Sequence, residues 1–414
     1  MNRIDTVVIG AGQAGLATSR CLTDADREHI VLDRGRLAES WRTARWDSLR
    51  LLTPNWMSRL PGWSYRGDDP EGFMSASGLV SYLSSYAGSF DAPVRSHTDV
   101  TDVRAADEGY RLTTTDGEWT ARNVVVAAGP RPWRPQHAAR LPESVRQLHS
   151  TEYRNPSALP DGGVLVVGAS ASGVQIAGEL RRAGREVVLS VGTHTRLPRR
   201  YRGMDIMWWL DQTGALNRTV DEVRDVRQAR REPSSQLTGA GGGRGMDLGT
   251  LRGDGVTIAG RMSRVSGVDG SRIHFDDDLP STTVAAERRL RRTLAKIDAY
   301  VDAAGLASEV MPPDEIRPVT LTSGPDALDL QAAGISTVVW ATGFDFRYPW
   351  LRVPVLDGAG QIDQYRGVTS APGLYVVGLR FMHRRNSQFI DGVRHDARAV
   401  VDHLTGVRAP ALKE

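Results

Sequence analysis

The chain has 414 residues, 40% of them hydrophobic and 24% charged, a balance that excludes wholesale disorder. At roughly 150 residues per domain that length fits two to three packed units, and 52 basic against 49 acidic side chains leave only +3, too little for a dedicated nucleic-acid binder. A single cysteine, Cys21, excludes an internal disulfide, a cysteine zinc site and a Cys-x-x-Cys redox pair.

The first residues run directly into an apolar strand without the features of a signal peptide, and no stretch approaches the ~18 consecutive apolar residues of a membrane span. The expectation is a soluble, cytoplasmic protein with no membrane partner. Val7-Val8-Ile9 is a β-branched run followed at once by Gly10, Gly12 and Gly15, then by Leu16, Ala17, Cys21 and Leu22 at helical spacing. A second apolar strand, Ile30 to Leu32, ends at Asp33. In this strand–turn–helix–strand pattern Gly10 permits a tight turn, Gly12 lets backbone approach a pyrophosphate, and Gly15 lets helix pack on strand. The helix start offers free N–H groups to phosphates, and Asp33 stands where an acid accepts hydrogen bonds from a ribose diol.

Val124 to Val126 lead into a small-residue turn at Ala128 and Gly129. The pattern then repeats: Val164 to Val167 precede Gly168, Ser170, Ser172 and Gly173, a helix runs from Val174, and a strand ends at Ser190. Ser170 takes the place of the middle glycine. No acid follows this strand; Arg196, Arg199 and Arg200 do. Arginine pairs with a ribose 2′-phosphate where an acid would repel it, so NADP is expected over NAD, with Arg196 and Arg199 holding the phosphate.

Beyond the second unit, residues 201–330 carry weaker signals. Met204 to Leu210, with Trp208 and Trp209, suit either a substrate cavity or a core. The glycine run from Thr238 to Gly245 reads as a loop, having neither the strand before it nor the helical pattern after it that a phosphate cradle needs. Val256 to Ile258 and Arg272 to Phe275 read as strands of a small hairpin or meander around Gly267 and Gly270. Leu290, Leu294, Ile297 and Val301 predict an amphipathic helix over 282–304. A last small-residue turn, Thr342-Gly343, follows the strand Ser336–Trp340. Two dinucleotide units with such closing turns form the layout of a two-dinucleotide flavoprotein, FAD first and nicotinamide second. The predicted fold class is α/β: two Rossmann-like dinucleotide-binding domains, the NADP domain (156–330, with a helical and hairpin insertion around 201–305) inserted into a discontinuous FAD domain (1–155 and 331–414).

Several further segments complete a pattern: Ser40-Trp41-Arg42, Arg45 to Asn55, Leu148-His149 to Tyr153 and Pro156, Gly373 to Gly378, and Gly392 with Asp396-Ala397. With the two glycine motifs they resemble the flavin-containing monooxygenase superfamily, and within it bacterial members similar to plant YUCCA-type enzymes. Glu143 and Val145 depart from that family's Phe and Gly ahead of the histidine. The resemblance implies NADPH, FAD and O2 as reactants, a C4a-(hydro)peroxyflavin shielded from water, and a small organic substrate. It makes Asn55 the candidate catalytic residue positioning that adduct, with Trp41, Thr53 and Pro54 bordering the flavin. Asp396 is placed at the start of the last helix, where flavin contact runs through the helix N-terminus. His149 and Tyr153 are expected to organise the hinge to the second domain, and His383-Arg384-Arg385 to bind an anion or form salt bridges.

No nucleophile triad or metal-ligand cluster appears in the sequence, consistent with a cofactor carrying the chemistry. The rival readings are a flavoprotein reductase passing electrons to a protein acceptor and a non-catalytic nucleotide-sensing protein. Substrate identity, the atom oxygenated and the oligomeric state, a homodimer included, stay open at this stage.

Overall fold

The computed structural model describes residues 2–241, 245–267 and 269–406; the glycine run around 238–245 lies partly outside them. β1 (Asn2–Ile9) enters α1 (Gln13–Asp24), and β2 (His29–Leu32) lies parallel to β1. Val7, Val8 and Ile9 are all buried, as a parallel strand covered on both faces requires. After α2 (Glu39–Thr43) and α3 (Ala76–Gly88), whose first turn is capped by Ser75, β3 (Val94–Arg95) extends the sheet beside β2. β4 (Val100–Ala106), β5 (Gly109–Thr114) and β6 (Gly117–Val126) form an antiparallel meander. β6 does double duty, pairing antiparallel with β5 through Gly117–Ala121 and parallel with β1 through Trp119–Val126.

The chain then crosses by β7 (Arg131–Pro132) to β8 (Arg146–His149), and from there into β9 (Gly163–Val167), α4 (Ala171–Arg182) and β10 (Val187–Ser190). The helix α5 (Ile206–Gln212), the strand β11 (Thr257–Ala259), the hairpin β12 (Met262–Ser266) and β13 (Arg272–Phe275), and the long helix α6 (Leu279–Ala303) follow. β14 (Ala327–Asp329) joins the hairpin, β15 (Ile335–Trp340) returns to the second sheet, and β16 (Phe344–Asp345) pairs with β7. β17 (Leu374–Val376) then completes the first sheet beside β6, and α7 (Ile390–Leu404) packs against α1.

The second sheet has the order β8-β15-β9-β10-β11 and is parallel throughout. Its two faces are separate cores: Val164 and Val166 share one with Val174 and Ile176 of α4, while Leu165 and Val167 share the other with Met262, Val265 and Ile273. Burying each such side chain contributes roughly 1.5–3 kcal/mol relative to exposure. The predicted helix over 282–304 is α6, three residues longer at its start, with Leu290, Ile297 and Val301 packed against Ile206 and Trp209. Trp209 is fully buried and its indole N–H donates to the Tyr201 carbonyl at 2.7 Å, so it fills a core.

Two expectations need correction. β8 and β15 belong to the second sheet, so the second unit takes strands from both sides of the proposed 156–330 boundaries. A β-branched run closed by a small-residue turn looks the same whichever sheet receives it. The strand around Val256–Ile258 is likewise not part of the hairpin; it is β11, the edge of the parallel sheet.

Candidate dinucleotide and flavin sites

The two glycine turns are built alike. A Cβ on Gly10 would strike the Ala127 carbonyl at the end of β6, and one on Gly168 would lie 2.5 Å from the Ala341 carbonyl beyond β15. Gly10 and Gly168 also have φ of +113° and +107°, open to glycine and closed to most residues. A Cβ on Gly15 or Gly173 would overlap the carbonyl oxygen of Gly10 or Gly168, so both glycines bring a helix onto its strand. Between them, the N-cap residues Gly12 and Ser170 have extended backbones, at φ −84° and −79°. No side chain caps either helix and no acid stands in either first turn, which leaves N–H groups facing outward. Around Gly12 a Cβ would meet nothing within 4 Å. That is the open cradle a pyrophosphate requires in the first unit, and the second repeats its glycine turn and uncapped helix start with Ser170 in the middle place.

Asp33 stands at the end of β2 with one oxygen on the Ala11 N–H at 2.6 Å and the other on the Gly35 N–H at 2.8 Å. It ties the glycine turn to β2, with further lone pairs left for a ribose. Ala128 and Gly129 line the same crevice with Gly10 and Asp33, faced by Arg347 and Tyr348. Ser172 lies in the first turn of α4.

The segment after α1 folds onto this unit. Trp41, on α2, lies under the Arg45 guanidinium at 4.3 Å, and burial pulls that guanidinium down to about 10. Leu52 and Thr53 lead into Pro54 and Asn55. Asn55 is buried and its amide is engaged: Oδ1 accepts the Met74 N–H and Nδ2 donates to the Asp69 carbonyl, both at 2.8 Å. These bonds clamp residues 69–74 against the turn after Pro54.

The crossovers between units are joined. Thr342 Oγ1 donates to the Trp133 carbonyl at 2.6 Å, and the Gly343 carbonyl accepts the Trp133 N–H. The same carbonyl takes His149 Nε2 at 3.0 Å, while His149 Nδ1 accepts the Thr151 N–H. These partners set the Nε2–H tautomer, and burial lowers the pKa of His149 below the usual imidazole value. It is a neutral group fastening the crossover. Tyr153 is fully buried in the second unit's core beside Trp46, a residue of the first unit's segment.

The arginines after β10 are the main correction. Arg196 is buried, bonded to Asp247 at 2.9 Å, to Glu287 and to the Arg317 carbonyl. Arg199 is 2% exposed, paired with Asp205, and donates to the Leu52 carbonyl at 2.9 Å. Both hold the insertion in place, and neither faces solvent where a phosphate could reach it.

Near the C-terminus, α7 starts at Ile390, so the acid in its first turn is Asp391, held by Arg59 at 2.6 Å and Arg394 at 3.1 Å. Asp396 lies farther along the helix and is 1% exposed; its expected place at the helix start is corrected. Burial pushes its carboxyl up to about 7, against the opposing pull of Ser387 and Arg384, with His383 Nδ1 at 3.8 Å and its own ring pushed down to about 4. Of the polar cluster, Arg385 pairs with Glu232 at 3.1 Å, which is the salt-bridge outcome. Because the folded pKa of Asp396 exceeds the unfolded one, its contribution to stability is present below about pH 4 and lost as pH rises through 7. Asp396→Asn is therefore expected to flatten the fall in thermal midpoint between pH 4 and 8, by a ceiling on the order of 4 kcal/mol. An unchanged pH profile would remove Asp396 as its source.

Among the described residues no His, Cys, Asp and Glu group is arranged to hold a metal, and no helix is long and apolar enough to cross a membrane. Cys21 is buried on α1, its thiol pushed up to about 12 by burial, which suits packing rather than redox work.

Comparison with known proteins agrees with this geometry. The pyridine nucleotide-disulphide oxidoreductase family profile matches residues 7–210. An uncharacterized CzcO-like oxidoreductase of Geobacillus kaustophilus is 32% identical over 97% of this chain and 98% of its own length. The probable indole-3-pyruvate monooxygenase YUCCA1 of Arabidopsis thaliana is 31% identical over 48% of this chain and 50% of its own. The chain belongs to the family of the CzcO-like oxidoreductases. Its fold is shared with the flavin-containing monooxygenase from Stenotrophomonas maltophilia, at TM-score 0.66 and 20% identity over 98% of this chain and 99% of that one. The pyridine nucleotide-disulphide oxidoreductase profile implies a flavin and a nicotinamide nucleotide as cofactors. Disulfide chemistry on the chain itself would need a second cysteine, and the sequence contains only Cys21.

Proposed function

We propose that the protein is an NADPH- and O2-dependent flavoprotein monooxygenase that oxygenates a small organic molecule, with FAD held by the first unit and NADPH by the second. The observation that carries this reading is the pair of matched cradles, each a glycine turn pressed on the end of a neighbouring strand, joined by the β7–β16 ribbon. The monooxygenases among its relatives favour oxygenation over electron delivery to a protein acceptor. Bound flavin would supply hydride acceptance and oxygen activation. The chain's own part is binding and shielding. The first turns of α1 and α4 would hold the two pyrophosphates, Asp33 the adenosine ribose and its own turn, and Ala128, Gly129, Thr342 and Gly343 the walls of the two crevices. Trp41, Thr53 and Pro54 would border the flavin, with Asn55 keeping the 69–74 loop closed over that segment so that water is excluded.

The test is to reduce the flavin-loaded protein with NADPH under argon, mix it with oxygenated buffer and record the flavin spectrum. A flavin–oxygen adduct preceding reoxidation is expected. Direct reoxidation without one would transfer the assignment to the reductase, and a flavin that NADPH does not bleach would leave a nucleotide-binding protein without this chemistry.

A further inference from the structure

Arg196 and Arg199 are both buried in ion pairs and out of reach of a nucleotide at the end of β10; of the three arginines there only Arg200 is exposed. In this kind of unit the end of the second strand meets the adenosine ribose. Here Ser190 is already used: its hydroxyl donates to the Gly260 carbonyl at 3.0 Å and accepts the Met262 N–H at 2.9 Å. His194 is buried, with Nδ1 3.1 Å from the Gly192 carbonyl. No acid follows the strand before Arg196.

What lies over the turn instead is Arg261, which comes from the loop after β11, far along the sequence. The guanidinium stands 3.2 Å from where a Cβ on Gly192 would be and donates to Thr193 Oγ1 at 3.3 Å. The side chain is 52% exposed. Asp278 aims it from behind, taking the Arg261 backbone N–H at 2.9 Å and lying 3.6 Å from Nε. That contact engages the Nε side, while the Nη edge lies over Gly192 and donates to Thr193 in a half-exposed side chain. Gly192 lets the guanidinium lie close over the turn, since a Cβ there would stand 3.2 Å from it.

We infer that Arg261 is the residue that selects a 2′-phosphorylated adenine nucleotide at the second site, pairing with the phosphate through its Nη edge. Thr193 and the Gly192 backbone complete the pocket. The inference rests on the reading of the second unit as the nicotinamide-nucleotide site, and it replaces Arg196 and Arg199 in that role. Asp278 is a positioning residue, and its own charge makes the pocket depend on Arg261: without the guanidinium a carboxylate would face the phosphate.

Calorimetric titration of the flavin-loaded protein with 2′,5′-ADP and with 5′-ADP separates the possibilities. The wild type is expected to bind 2′,5′-ADP about ten- to hundredfold more tightly, the range of a charge-assisted bidentate contact. Arg261→Ala should abolish that preference while leaving 5′-ADP affinity unchanged, and Arg261→Lys should restore part of it as a point charge. An unaltered flavin spectrum and thermal midpoint would show that the variants are folded. If Arg261→Ala keeps the preference, or if the wild type binds both nucleotides alike, the inference is overturned and the nucleotide site stands. If the wild type binds neither nucleotide, the reading of the second unit fails, and the inference with it.

Discussion

Gly12→Leu is expected to yield a folded protein that purifies without flavin. The backbone at Gly12, φ −84° and ψ −174°, is one that any residue adopts, and a Cβ there meets no atom within 4 Å. The substitution therefore costs the fold little. A side chain at that point nevertheless fills the space in which a pyrophosphate would sit on the first turn of α1. Flavin content is expected to fall more than about tenfold, equivalent to at least about 1.4 kcal/mol of binding, with far-ultraviolet circular dichroism unchanged. Gly15→Leu should behave differently, because its Cβ overlaps the Gly10 carbonyl and the helix must leave the strand. The matching change in the second unit, Ser170→Leu, should leave a yellow protein that NADPH no longer bleaches, since Ser170 has the same extended backbone at φ −79°. Together the two variants ask which dinucleotide each unit holds. A yellow Gly12→Leu protein, or a colourless Ser170→Leu protein, would reverse or void the assignment of FAD to the first unit.

The contrast between these cradles and the arginine loop shows what sequence can carry. Gly10, Gly15, Gly168 and Gly173 are legible because their constraints are local: a turn, a helix start and a strand within a few residues of one another. The long helix α6 is legible for the same reason, its apolar stripe repeating within its own length. The roles of Arg196 and Arg199 are not legible in the sequence, because a charge takes its meaning from its partner. Those partners, Asp247 and Glu287 for one and Asp205 for the other, are identified only once the insertion is folded. Arg261 was invisible by the converse argument. It reaches the turn after β10 only because β11 pairs in parallel with β10, and a three-residue strand leaves no periodicity to announce it. Asn55 falls between the cases: the family motif marked the position, while the two backbone groups that its amide clamps lie 14 and 19 residues on. The placement of β15 shows a third limit, since a buried parallel strand carries no mark of which sheet will take it.

Arg199→Met is expected to destabilise the protein by about 3–5 kcal/mol while leaving affinity for nicotinamide nucleotides unchanged, the reverse of what a phosphate-binding arginine would do. The guanidinium is nearly sealed from solvent, and burial lowers its pKa against the opposing charge of Asp205. It also donates to the Leu52 carbonyl and lies over the Phe73 ring at 4.9 Å, so it joins the insertion to the segment that carries Thr53 and Asn55. Methionine fills much of the volume but leaves Asp205 as a buried charge with only the Met207 N–H, at 2.7 Å, to satisfy it. Most of the expected cost is that stranded carboxylate rather than lost packing. Arg199→Met combined with Asp205→Asn should therefore recover part of the stability, because the neutral amide keeps an acceptor for the N-terminus of α5 without the charge. A chain with two sheets need not unfold in one step, so hydrogen exchange on α5 and the temperature of flavin release are the readouts to compare. If Arg199→Met melts like the wild type and loses 2′,5′-ADP binding, the buried pair is not what holds this region, and the phosphate belongs to Arg199 after all.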